Sequence, residues 1–207
     1  MHPFLKKVLF ANKLKYEEDG SLTLMNTPAY LFSLNALVIL QKTLEDTLKD
    51  KGREIMESFL EVQTAMAARM MTKRFGYKKA EAMKMQLGHV EMIGAGKIRM
   101  TKCDFEKKEF RFVAESTFAR EYKKMFGIQK KGIDYLLIGG LRAFIREHTG
   151  IKNVVCEEVQ CIAMGSQTCE FVVREGKEGT KNKGFKNEIW ENAKKAIPSG
   201  GVPMKRQ

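Results

Sequence analysis

Long apolar runs are missing from this chain of 207 residues. The best stretch, YLFSLNALVIL, stops at Gln41 and Lys42, well short of the roughly 18 uncharged residues that a membrane span needs. No membrane span is therefore expected. A secretory signal is missing too: MHPFLKKVLFANKLKY carries lysines inside its apolar run and has no small-residue cleavage site. A cytoplasmic setting with reduced thiols follows as the expectation. No G-x-G-x-x-G follows a strand, which removes the usual signature of dinucleotide-dependent hydride chemistry. Gly94-Ala95-Gly96 is too short for it and reads as a turn or bulge. Helix-turn-helix spacing, zinc-finger spacing and internal repeats are equally absent. Tryptophan occurs once, against thirteen methionines.

What is present fits one medium domain with an extension, large enough to bury a core without covalent staples. Hydrophobic residues make up 43% and charged residues 30%, an ordinary balance for a globular chain. The net charge of +12 favours anionic partners. Cations cluster in RMMTKRFGYKKAEAMK and again after Gly176, where eight Lys/Arg stand against three Asp/Glu. That admits nucleic acid as a partner but does not favour it, because a lysine-rich surface is usually a solvated face.

Periodicity divides the chain. ANKLKY and SLTLMN flank an Asp-Gly turn and form a first hairpin. Thr27-Pro28 offers a helix start, with Leu31, Leu34, Val38, Leu44 and Leu48 in helical spacing towards Lys51-Gly52. A second helix is expected from Arg53 to Phe75, and a shorter one from Lys78 to Leu87, closing at Gly88. Alternation then sets in from His89 to Cys103 and in FRFVAE, joined by a charged turn over 104–109 as a second hairpin. Ser116 caps a short helix ending at Phe126-Gly127, and a longer helix spans Gly132 to His148. Gly139-Gly140 inside it points to close approach by another helix, or by a ligand. A third hairpin turns around Met164-Gly165-Ser166. Residues 1–176 thus read as an α+β domain, helices on an antiparallel sheet, and 177–207 as a basic flexible tail.

Three of the four cysteines fall within CEEVQCIAMGSQTCEF. Glu158, Cys161 and Cys169 form E-x-x-C-x7-C, able to fill three corners of a tetrahedral zinc site. Cys156 shares a strand face with Glu158 and is the first candidate for a fourth ligand; Cys103 is the second. Two other readings stay open: a Cys161–Cys169 disulfide, disfavoured in a reducing compartment, and buried reduced thiols acting as small hydrophobes.

The run Gly140-Leu-Arg-Ala-Phe, then Gly150, then VVCEEVQCIAMGSQTCEFVV resembles the C-terminal half of the 4-vinyl-reductase domain. The opening hairpin, the Phe75-Gly76 pair and the FA-x-x-Y ending in FG at 118–127 agree with it, so that the resemblance covers about residues 5–175. It implies a fold similar to haem nitric-oxide sensors and vesicle-tethering subunits. The family also includes sensory domains of phenol-responsive transcription activators and archaeal proteins described as hydrocarbon-binding. In the aromatic-sensing members a Glu and two Cys in this spacing, with one Cys from the preceding helix, hold zinc. Carried over, Glu158, Cys161 and Cys169 are ligands. The fourth does not transfer, because the region near Tyr135 has no cysteine; Cys156 or a water is left to fill it.

Such ligands, lying on one hairpin, suit a structural zinc. Six methionines, Met56, Met66, Met70, Met71, Met83 and Met85, lie on the two central helices. A methionine stripe at helical spacing is ordinarily core packing, yet the resemblance implies an apolar cavity between helices and sheet. Phe59, Met66, Met70, Phe110, Phe112, Tyr122, Leu136 and Phe144 are its candidate lining. His89 and His148 could offer a polar contact or haem ligation, but lone histidines are more often surface or capping groups. The expectation is a zinc-containing module that binds a small hydrophobic molecule, homodimeric as is common for this fold, non-enzymatic, with a link to transcription regulation. A reductase acting on a vinyl-bearing tetrapyrrole is the alternative.

Overall fold

A computed structural model describes residues 14–24, 27–73 and 79–177; the basic tail expected from 178 onward lies outside the described residues. The first hairpin forms as expected. β1 (Leu14–Tyr16) and β2 (Leu22–Leu24) pair antiparallel, with Gly20 at φ 82° in the Asp-Gly turn. Thr27-Pro28, however, does not start a helix. It lies in a third short strand, β3 (Thr27–Ala29), paired with β2. β3 is an edge strand, where a proline's missing N–H costs no ladder bond. The helix α1 (Leu34–Leu48) begins six residues later than Pro28, where Ser33 Oγ accepts the Ala36 N–H.

α1 ends at Lys49, held at φ 53°, and α2 (Asp50–Lys73) starts at once. Gly52 permits this sharp junction: a Cβ there would stand 2.2 Å from the Leu44 carbonyl oxygen. The third helix, α3 (Lys79–Met92), runs straight through Gly88 instead of stopping there. His89 accordingly belongs to a helix, and the strand expected from it begins only at Gly96. Glycine within a helix costs about 1 kcal/mol, which flanking turns easily outweigh; the break comes at Gly94, where φ is 86°.

Four antiparallel strands follow, the fourth in sequence lying between the second and the third. They are β4 (Gly96–Asp104), β5 (Glu109–Ser116), β6 (Val154–Gln160) and β7 (Cys169–Glu175). β5 buries Phe110, Phe112, Ala114 and Ser116 in strict alternation, the period of a strand with one covered face. α4 (Thr117–Phe126) is capped by Ser116 and stopped at Gly127, as the sequence indicates. α5 (Tyr135–Thr149) starts at the cap Asp134 and ends on left-handed Gly150. Twelve of its fifteen residues are buried, because it packs on β6 and β7 on one side and on α2 on the other. Gly139 explains the α2 contact: a Cβ there would stand 1.8 Å from the Glu57 carbonyl oxygen. The double glycine therefore admits a helix. Helices on an antiparallel sheet make this the α+β architecture expected. Among the described residues no helix is long and apolar enough to cross a membrane.

Candidate metal centre and the adjoining cleft

The β6–β7 connection builds the site. β6 delivers Glu158, and a register shift between Glu158 and Gln160 turns the chain out of the ladder. Cys161 then opens a short 3-10 turn over Ile162–Met164, closed by the Met164 and Ser166 N–H groups donating to the Cys161 carbonyl. Gly165, at φ 105°, reverses the direction, and Cys169 begins β7. The turn folds the second cysteine back onto the first. Their sulfur atoms stand 3.8 Å apart. Gln129 of the loop before α5 donates its N–H to the Ala163 carbonyl, tying the turn to the helical layer.

Glu158, Cys161 and Cys169 bring their donor atoms within 4.8 Å of one another. Both cysteines are fully buried and unbridged; a disulfide would hold the sulfurs about 2.05 Å apart. Two thiolates bound to one tetrahedral zinc ion at about 2.3 Å each stand about 3.8 Å apart, which matches the observed separation. Glu158 Oε2 accepts the Asp134 N–H at 3.0 Å, while Oε1 is buried and makes no hydrogen bond. The Ile162 N–H donates to Cys169 Sγ at 3.3 Å, the kind of support that orients a ligating thiolate. These residues fit a thiolate-bound divalent ion.

Their electrostatics point the same way. Burial pushes the Glu158 carboxyl up to about 8, helped by Cys161 beside it. Asp134, fully buried, is pushed up to about 7 by desolvation and then by Glu158. The hydrogen bond from Cys169 holds Cys161 down to about 6, and the same bond, with burial, raises Cys169. One corner thus concentrates two carboxyls and two thiols whose joint ionisation needs a positive charge.

Neither candidate for a fourth ligand joins the group. Cys156 lies on β6 opposite Val173, two residues back from Glu158, or about 6.6 Å along the strand. Burial raises its thiol, with Arg142 opposing. Cys103 is exposed on β4, at the far edge of the sheet from β6. The residue that sequence reasoning missed is Asp134. It immediately precedes Tyr135, and its signal was that of a helix cap: Oδ1 accepts the Leu137 N–H at 3.2 Å, and Oδ2 accepts from the Ser116 hydroxyl.

The candidate lining of an apolar cavity divides. Phe110, Phe112, Tyr122, Leu136 and Phe144 are all buried in one cluster between α5, α4 and the sheet, Phe112 meeting Phe144 edge to face at 5.9 Å. Phe59 does not join them: it is 51% exposed, because it points off the outer side of α2. Met66 is half-buried, and the side chain of Met70 lies outside the described residues. His148 is buried and bonded to Gln86 Oε1 at 2.7 Å; His89 is half-buried. A cleft of about 300 Å³ opens elsewhere, beside the metal centre, between Arg53, Lys131, Gly132, Ile138, Cys156, Glu157 and Glu158.

Helices over a four-stranded antiparallel sheet recur in solved structures of other proteins. The phenol-responsive sensory domain of the transcription activator PoxR, solved with phenol, superimposes at a TM-score of 0.69 with 19% identity, over 83% of this chain and 89% of that one. A vinyl-4-reductase family protein from Methanocaldococcus jannaschii matches at 0.43 and 19% identity, over 72% and 85% of the two chains. A trafficking protein particle complex subunit 3 from Naegleria fowleri, covalently bound to palmitic acid, matches at 0.44 and 16%, over 70% and 95%. No family model and no curated protein sequence matches the chain.

Proposed function

We propose that the chain is a small-molecule-binding module of the sensory kind, whose β6–β7 turn is pinned by a zinc ion on Glu158, Cys161 and Cys169. The observation that carries the reading is the 3.8 Å sulfur separation beside the unpaired Glu158 Oε1. A buried carboxylate oxygen without a partner is costly, and a cation between it and the two sulfurs removes that cost. The shared fold with a phenol-responsive domain supports a small, largely apolar ligand. Thiolate donation makes a zinc-bound water a poor nucleophile, which supports a binding role over an enzymatic one. A homodimer in the cytoplasm completes the reading.

Native mass spectrometry and elemental analysis of freshly purified protein test it. The expected result is one zinc per chain, a two-chain assembly, and a small molecule released on denaturation. Metal-free protein of full stability would overturn the zinc assignment. Turnover of a vinyl-bearing tetrapyrrole with reduced nicotinamide would overturn the non-enzymatic one.

A further inference from the structure

The described donors at the metal centre number three, whereas zinc takes four. The nearest other acid, Asp134, has both carboxylate oxygens committed, one to the start of α5 and one to Ser116. Releasing either would uncap a helix or orphan a buried hydroxyl. Cys156 is one strand repeat too far back. Among the described residues, then, none supplies the fourth donor.

Glu158 also borders the cleft, together with Gly132, where a Cβ would stand 2.4 Å from Glu158 Oε2. Cations flank this opening. Arg53 lies over the Tyr135 ring at 5.0 Å while pairing with Glu57, and Lys131 is exposed on the opposite loop. Ile138 and Cys156 supply apolar surface on the cleft wall.

We propose that the fourth coordination place beside Glu158, Cys161 and Cys169 is filled from outside, by a small organic carboxylate entering the cleft between Arg53 and Lys131. The guanidinium and ammonium draw the anion in, and the apolar wall takes its body. This rests on the metal assignment above and names the chemical class of the ligand.

Cobalt(II) substitution separates the two ideas, because the visible bands of thiolate-bound cobalt report its coordination. Benzoate and acetate titrated into the cobalt protein are expected to shift those bands saturably, benzoate at lower concentration. Lys131→Glu and Arg53→Ala are each expected to weaken the benzoate response roughly five- to tenfold, through loss of a partly exposed charge. Cobalt bound in thiolate coordination but indifferent to both acids overturns this proposal and leaves the metal assignment standing. A response unchanged in both variants also overturns it, since the acid would then enter by another route. Failure to bind cobalt at all overturns the metal assignment, and this proposal with it.

Discussion

Between α2 and α5, a buried cation finds its counter-charges within the chain; at the β6–β7 turn, clustered acids form no ion pair among the described residues. Arg142, 9% exposed, gives one terminal nitrogen to Glu57 at 2.6 Å and the other to Glu61 at 2.8 Å. Glu57 in turn accepts from Arg53 and Glu61 from Arg146, so the sign of charge alternates across the interface. At the turn, by contrast, Glu158, Asp134, Cys161 and Cys169 are all acids. The helix interface balances its own charge as folded, although Arg142 Nε is left without a hydrogen bond, and it fixes the geometry of the scaffold. On the zinc proposal, the turn is completed when a cation arrives.

The largest effect should follow from emptying the turn. Cys161→Ser with Cys169→Ser, or prolonged chelation, is expected to remove the zinc and cost about 5 kcal/mol or more, since binding energy at such a site is folding energy. Calorimetry paired with metal analysis reads both quantities. Equal melting temperatures with and without metal would show that the turn is as self-sufficient as the helix interface.

Truncating Arg142→Ala should cost about 3–5 kcal/mol, because Glu57 and Glu61 lose a shared buried counter-charge. Chemical denaturation measures it, and zinc content should stay at one per chain. Gly139→Val tests the same interface sterically, at about 3 kcal/mol, because its side chain would overlap the Glu57 backbone. Gly88→Ala is the matching control: nothing lies within 4 Å of its Cβ position, and the exchange should stabilise α3 by about 1 kcal/mol.

The contrast between the two regions also separates what could be read from the sequence from what could not. Hairpins, caps and stops are local: the Asp-Gly turn, Ser116 and Gly150 each satisfy backbone groups within a few residues, and each was legible. Thr27-Pro28 misled because a proline suits an edge strand as well as a first helical turn, and only the neighbouring strand decides. Gly88 misled because its helical cost is small beside the packing of Ala82, Met83 and Gln86 on the buried side of α3. The cluster of Glu158, Cys161 and Cys169 was legible because the three share one hairpin. Asp134 was not, since it meets Glu158 across 24 residues. Nor was the cleft: Arg53, Lys131 and Glu158 come together only through the packing of α2, α5 and β6, which no local pattern encodes.

The smallest effect tests the sign of the electrostatics at the turn. In metal-free protein, Glu158 and Asp134 sit near 8 and 7, above the ordinary carboxyl range of about 4. The folded state then holds more protons than the unfolded chain up to about pH 7, above which Cys161, held down to about 6, gives up a proton that the unfolded chain keeps and offsets the difference. Stability of the apo form should be greatest in mild acid and fall as pH rises from about 5 to about 7, by about 2 kcal/mol or less. Zinc reverses the slope, because protons compete with it for the same ligands. The zinc form should gain stability over that interval, and urea midpoints collected on both forms should cross. Parallel profiles would mean that the ion is not bound by these acids, and that the helix interface and the turn balance their charges in the same way.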